Sequence, residues 1–230
     1  MELNGTYRHE LKYQINYADY CGLSKRLKLI MKTDCHANDD GLYKISSIYF
    51  DNYNDKVLRE KIDGVQKREK IRIRYYNDDL SFITLEKKIK HNDLCMKVDA
   101  PITYEDYQRI LMEPGSWMLE HPQELVRELY YKMKVQQLRP RTLVSYVREP
   151  YVYDSGNVRV TFDSKIRTSL FQNNFLDNQI TDVPATNMPG DIILEVKYDA
   201  YLPETIRCLL QVGNLRQTAF SKYGTCRRFG

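Results

Sequence analysis

Arg68-Glu69-Lys70-Ile71-Arg72-Ile73-Arg74 is the stretch whose reading decides the fold. Lys70, Arg72 and Arg74 alternate with Ile71, Ile73 and Tyr75, the period of a strand with one cationic and one apolar face. The pattern recurs along the chain. Arg8, Glu10 and Lys12 share a side, as do Glu86 with Lys88, Tyr146 with Arg148, Arg159 with Thr161 and Asp163, and Glu195 with Lys197. The opposite sides carry Leu11 and Tyr13, Ile83 and Leu85, Val158, Val160 and Phe162, and Ile192, Leu194 and Val196. An open sheet would lay those apolar faces on helices and leave the charges in water. A closed antiparallel β-barrel would have a charged interior and an apolar exterior wrapped by helices.

The barrel explains more. Acids and bases two residues apart have no stability rationale on an exposed face, where ion pairs contribute little. Inside a barrel, unpaired Arg and Lys are costly unless water or an anion fills the space. Cations held in rows on several strands therefore imply a polyanionic ligand. Arg offers a planar fork to phosphate oxygens and Lys a compact point charge. On this alternation Lys70 and Lys197 are candidates for substrate binding. The few inward acids suit a divalent ion that prefers oxygen ligands, Mg2+ or Mn2+.

The remaining segments fit an α+β class, read as one domain over residues 1–230 with no linker or internal repeat. Helices are expected from about Tyr17 to Lys32, from a cap at Asn54 or Asp55 to Gly64, after a Thr103/Asp106 capping box, after Pro122, and over Pro203 to Val212. A last helical turn or two is expected over Gln217 to Tyr223, and Gln172 to Pro189 reads as a polar loop. Strands are expected at Tyr7 to Ile15, Ile45 to Phe50, Lys70 to Tyr76, Phe82 to Lys90, Thr142 to Glu149, Val158 to Asp163 and Ile192 to Tyr198, with Lys97 in a short extended piece.

Bulk properties exclude several classes. With 35 basic and 31 acidic residues the net charge is only +4, too small an excess for a general nucleic-acid binder. Five scattered cysteines without a C-x-x-C pair and four histidines without ligand spacing argue against a disulfide framework and a zinc or His-based metal site. No apolar run reaches the roughly 18 residues of a membrane span, and no signal peptide opens the chain, so a cytoplasmic protein is expected.

Arg8-His9-Glu10-Leu11-Lys12-Tyr13, Arg72-x-Arg74, Leu85-Glu86-Lys87-Lys88, Tyr146-x-Arg148, Arg159, Leu194-Glu195-x-Lys197 and Ser221-Lys222-Tyr223 occur in that order. Together they resemble the catalytic domain of the VTC (vacuolar transporter chaperone) polyphosphate polymerases. Those belong to the triphosphate tunnel metalloenzymes, with the CYTH phosphatases and cyclases. The resemblance covers nearly the whole chain and implies a barrel whose tunnel binds a triphosphate. It implies that Lys12, Arg72, Arg74, Lys88, Arg148 and Arg159 are basic tunnel positions, with Lys97 a further tunnel lysine. Tyr146, Ser221 and Lys222 match phosphate-contacting positions. Glu195 matches the metal-binding glutamate, and Glu10 and Glu86 fit metal- or lysine-orienting roles. Without the SPX domain and membrane helices of the eukaryotic enzymes, the chain resembles the stand-alone bacterial form.

The expected function is a Mn2+- or Mg2+-dependent transfer of phosphoryl groups from ATP to inorganic polyphosphate. Arg72, Arg74, Lys88, Arg148, Arg159 and Lys222 are the candidate catalytic residues, Lys222 neutralising the leaving phosphate. The alternatives are a triphosphate hydrolase of the same fold and a non-catalytic polyphosphate or nucleotide sensor. His9 reads as a core histidine; Lys44, Lys56, Lys61, Lys132 and Lys134 read as solvated surface. Arg72→Ala is expected to cut activity by orders of magnitude and leave the fold intact.

Overall fold

The computed structural model describes residues 6–169, 175, 182–185, 191–211 and 215–229. In chain order the elements are β1 (Arg8–Ile15), α1 (Tyr17–Leu27), β2 (Lys32–Thr33), β3 (Tyr43–Asp51), α2 (Lys56–Ile62), β4 (Lys67–Tyr76), β5 (Asp79–His91) and β6 (Leu94–Ile102). Then come α3 (Tyr104–Met112), α4 (Glu124–Val135), β7 (Arg139–Tyr153), β8 (Val158–Ser169), β9 (Val183–Pro184), β10 (Ile192–Tyr198), α5 (Glu204–Leu209) and α6 (Lys222–Phe229). Most of the loop expected over Gln172 to Pro189 lies outside the described residues. Its Val183–Pro184 forms β9 against β8.

Eight strands follow one another in the order β7-β3-β4-β5-β6-β1-β10-β8, and β8 pairs back onto β7 to close an antiparallel ring. The seam between β1 and β6 is the thinnest, with only Arg8–Cys95 and His9–Leu94 in register. Past the seam the free edge of β1 is taken by the segment before α6. Thr218 donates its amide to the Lys12 carbonyl at 2.8 Å, and Tyr13 bridges to Gln217.

Pleating then sorts each strand's side chains. Outward Ile71, Ile73, Ile83, Leu85 and Ala100 are buried under Tyr107 and Ile110 of α3 and Leu125, Leu129 and Met133 of α4. On the other side Leu23 and Leu27 of α1 cover Val160, Phe162, Leu194 and Val196. Fully burying such a side chain contributes about 1.5–3 kcal/mol, so the helical coat drives closure of the ring. The expected barrel, polar within and coated by helices, is the fold observed. Its lumen is apolar in one part: Ile45, Val144 and Ile193 point inward and pack on Val57 of α2 and on Tyr223 and Cys226 of α6.

Local chemistry sets the element ends. Asn77 and Asp78 both take positive φ, as a two-residue turn between β4 and β5 requires. Thr103 and Asp106 form the expected capping box. Asp55 holds the expected N-cap position of α2, but its side chain makes no cap bond. Asp51, at the end of β3, instead accepts the Val57 amide at 2.9 Å and the Leu58 amide at 3.2 Å. Gly64, at φ +71°, ends α2, and the Val65 amide reaches back to the Glu60 carbonyl at 3.0 Å.

Three expected boundaries move. Helix α1 stops at Leu27 instead of near Lys32, where the chain joins β2 beside β7. Helix α5 covers only Glu204–Leu209 of the span read over Pro203 to Val212. The terminal helix runs over Lys222–Phe229, because the residues before it pair with β1. Lys132 is not solvated: its side chain is 13% exposed and pairs with Glu128 at 3.0 Å and with Glu69. Among the described residues no helix is long and apolar enough to cross a membrane.

Candidate active site

Inward-facing side chains of β1, β4, β5, β7 and β10 meet those of residues 217–223 around a cavity of about 690 Å3. Eleven Lys and Arg residues line it, against three carboxylates, Glu10, Asp93 and Glu195. Such an excess of one sign in a partly enclosed cavity attracts anions, since the walls limit screening.

Deeper in, buried carboxylates organise the cations. Glu195 receives Lys222 at 2.7 Å and Lys12 at 3.2 Å on Oε1, and Lys197 at 3.3 Å and Arg148 at 3.5 Å on Oε2. Arg148 also makes a two-pronged pair with Asp163, at 2.6 and 2.7 Å, and Lys222 reaches the same Asp163. Glu86 accepts Arg72 Nε at 2.7 Å and Nη2 at 2.6 Å, with Arg74 and Lys97 each at 3.6 Å. Glu10 joins Lys88 and, at 3.0 Å, Lys12. Burial works to raise each of these carboxyl groups, but the surrounding cations prevail and hold Glu10, Glu86 and Glu195 ionised well below the usual range.

Phenols and hydroxyls set the guanidinium orientations. Arg72 donates to Tyr49 Oη at 2.7 Å, and Arg74 to Ser47 Oγ at 3.1 Å and Tyr146 Oη at 3.3 Å. The Tyr146 ring lies 4.7 Å from Lys222 Nζ and 5.4 Å from the Arg148 guanidinium. Side chains fixed in this way need little reorganisation when an anion arrives.

Lys70 has a different environment. Its ammonium donates to Ser221 Oγ at 3.0 Å and sits 5.4 Å from the Tyr223 ring. Burial first, and then the charges of Lys12, Lys88, Lys61 and Arg68, push it down to about 7. Burial likewise pushes Lys197 down to about 8, against the pull of Glu195 and Glu10. The cavity therefore stores like-charge repulsion that an anionic ligand would relieve.

Of the residues expected from the sequence, Lys12, Lys70, Arg72, Arg74, Lys88, Tyr146, Arg148, Lys197, Ser221, Lys222, Glu10 and Glu195 line the cavity. Glu86 stands behind Arg72 and Arg74, 1% exposed, and orients them. Arg159 lies apart from the cavity lining, bound to Asp34 at 2.7 Å and Tyr43 Oη at 2.8 Å. Lys97 is half exposed, between Glu86 and Asp99.

Other site residues went unassigned in the sequence. Arg68 and Lys90 extend the 70-72-74 and 86-88 series, so a stricter period-two count finds both. Asp163, already on the charged side with Arg159, backs Arg148, whereas Tyr49 lies on a strand with no inward cation and meets Arg72 only through the register of β3 on β4. Lys61, read as solvated surface, lines the cavity from the last turn of α2, where helical docking leaves no strand period to read. His9 also lines it and stacks on Tyr198 at 4.9 Å, so it is not a core histidine.

Among the described residues the one close trio of metal-type ligands is Asp34, Cys35 and His36, away from the cavity, and Asp34 is held there by Arg159. Among the described residues no pair of carboxylates within the cavity stands free of cations. A divalent ion thus fits Glu195 only with phosphate oxygens completing its shell, the usual habit of Mg2+.

A closed antiparallel ring with inward cations and a helical coat defines the triphosphate-tunnel class. The chain belongs to the VTC domain family, whose sequence profile matches residues 7–229. No curated protein matches the chain. Among solved structures it is similar to a candidate adenylate cyclase from Bacillus halodurans, with 13% identity, a TM-score of 0.51 and coverage of 85% of this chain and 82% of that one. A candidate adenylate cyclase from Vibrio parahaemolyticus has 12% identity, a TM-score of 0.44 and coverage of 89% and 83%. At such identities the first likeness speaks for the fold alone.

Proposed function

We propose that this domain is a divalent-metal-dependent phosphotransferase that elongates inorganic polyphosphate from ATP. The observation that carries the reading is the convergence of cations from five strands on one cavity in which every buried acid is engaged by Lys or Arg. Phosphoryl transfer needs mainly positioning and charge neutralisation, which such a lining supplies. Arg72, Arg74 and Arg148 would grip phosphate oxygens through planar forks already aimed by Tyr49, Tyr146 and Asp163. Lys12 and Lys88 would add point charges along the chain, and Ser221 would donate its hydroxyl to a phosphate oxygen. The terminal oxygen of the chain attacks the γ-phosphorus of ATP, the bond to the β–γ bridging oxygen breaks, and ADP leaves. Lys222 neutralises the charge that gathers on the leaving phosphate. Mg2+ or Mn2+, held by Glu195 and phosphate oxygens, would supply further charge neutralisation.

An attacking water would need a free carboxylate to orient it, whereas Glu10, Glu86 and Glu195 are each shared among cations, which favours transfer over hydrolysis. The test is incubation of the pure protein with ATP and Mn2+ and resolution of products by length. Long chains are expected. Orthophosphate alone would replace the polymerase reading with a triphosphatase, and binding without turnover would make the domain a sensor.

A further inference from the structure

At the cavity mouth the pairing of charges changes character. Arg72 stands directly opposite Glu86 across β4 and β5, an opposite-charge pair. One step outward Lys70 stands opposite Lys88, and one step further Arg68 stands opposite Lys90. Like charges directly opposite on one sheet face are destabilising. Glu10 compensates Lys88 in the inner rung, but the outer rung, Arg68 opposite Lys90, has no such acid among the described residues, the reverse of what a solvated strand end needs.

Helix α2 adds to the conflict. Lys61 faces the same mouth, and after burial the influences on its ammonium are Arg68, Lys90, Lys12 and Arg228, all cations. Among the described residues none of Lys61, Arg68 and Lys90 has a carboxylate in ion-pair range. Asp93, the one acid at the mouth, is exposed. Each of these cations is half-buried and lines the cavity, and the Arg68 guanidinium is steadied there by donating to the Val65 carbonyl.

We propose that Arg68, Lys90 and Lys61 form an outer phosphate subsite that holds the part of a linear polyphosphate chain projecting from the cavity. Same-face residues on a strand repeat every ~6.6 Å, so the outer rung lies a full step beyond Lys70 and Lys88. A compact triphosphate held at Arg72, Arg74 and Arg148 does not extend to it; an unbranched chain with a charge on every unit does. The subsite makes affinity depend on chain length and gives a growing chain a place to rest between additions. Its three residues bring no aromatic ring for stacking bases, which favours polyphosphate over single-stranded nucleic acid.

The proposal rests on the polyphosphate reading, and binding without metal or nucleotide tests it independently of turnover. Calorimetric titrations of the full chain would compare tripolyphosphate with long-chain polyphosphate for wild type, R68Q/K90Q and, separately, K61Q. Long-chain affinity should fall about tenfold or more in R68Q/K90Q, with a shallower salt dependence, as expected when charge contacts to phosphate are removed. Tripolyphosphate affinity should stay within about twofold, and the thermal midpoint should hold or rise as repulsion is relieved. Equal losses for both ligands, or no loss on the long chain, would overturn the subsite. So would an oligonucleotide that binds as tightly and is equally sensitive to R68Q/K90Q. Length-dependent binding by a protein that makes no chains from ATP would instead refute the polymerase reading and leave the subsite in place.

Discussion

The Tyr223 hydroxyl donates to Asp51 Oδ2 at 2.6 Å, tying the C-terminal helix to the carboxylate that caps α2. One fully buried acid at the end of β3 thus fixes two helices at once. Tyr223 in turn stacks on Tyr49 at 5.1 Å, and Tyr49 accepts from Arg72. Ser221 and Lys222 face the cavity because the helix they open is anchored in this way.

Tyr223→Phe removes a single hydrogen bond to a charged group and should cost about 1.5–3 kcal/mol. Asp51→Ala should cost more, because it also strands the Val57 and Leu58 amides in a buried place. Urea titration of both variants and the double variant measures the coupling; strictly additive costs would mean that the two side chains act separately.

Arg72→Ala is a test of binding and of stability together. Glu86, almost wholly buried, would lose its closest cation, and breaking such a pair costs roughly 3–5 kcal/mol. The sequence-based expectation of an intact fold therefore holds only if Arg74 and Lys97 suffice. Replacing both partners, as Arg72→Met with Glu86→Gln, should recover most of the stability but not triphosphate binding. A double variant that binds normally would exclude Arg72 from the site.

Lys70 makes the free protein less stable than it need be. Its folded value near 7 lies below the ordinary lysine value of 10.5. Between those values the unfolded chain binds more protons, so stability rises with pH across that window and the penalty is full below about 7. Lys70→Met should raise the melting temperature by a few degrees at about pH 7, where ~1 kcal/mol shifts a domain of this size by about 2–4 °C. The gain should shrink toward about pH 10. A bound polyanion restores the proton, so wild-type affinity should fall as pH rises above about 7, and less so in the variant. Equal melting curves at every pH would show that Lys70 reaches water freely.

Glu195 sits at the centre of Lys12, Lys222, Lys197 and Arg148 and neutralises part of their charge. Glu195→Gln should strengthen metal-free tripolyphosphate binding several-fold, about 1 kcal/mol, by removing a competing anion. Metal-stimulated turnover should fall by about 100-fold or more if the carboxylate holds the ion. Retained turnover with the same metal dependence would assign the ion elsewhere.

Most of the inner face was legible because a pleated strand sorts side chains by parity, and parity is written in consecutive residues. Lys70, Arg72 and Arg74 disclosed it at once, and the 146-148 and 195-197 pairs repeated it. Arg159 obeyed the same parity yet lies apart from the cavity, since strand stagger and its bond to Asp34 place it elsewhere. Lys61 gave no signal, for its part in the mouth depends on how a short helix closed by Gly64 docks on β4. The last helix was misplaced because Gln217 and Thr218 spend their backbone bonds on β1, a partner some two hundred residues earlier in the chain.

By itself, then, the amino-acid order determined which side chains face in and which face out, because that choice is local to each strand. Only the tertiary structure decided which of the inward cations share a carboxylate and which, among the described residues, stand opposite another cation. Register across a closed ring and the docking of helices on its ends arise from contacts between distant segments, and no local period encodes them.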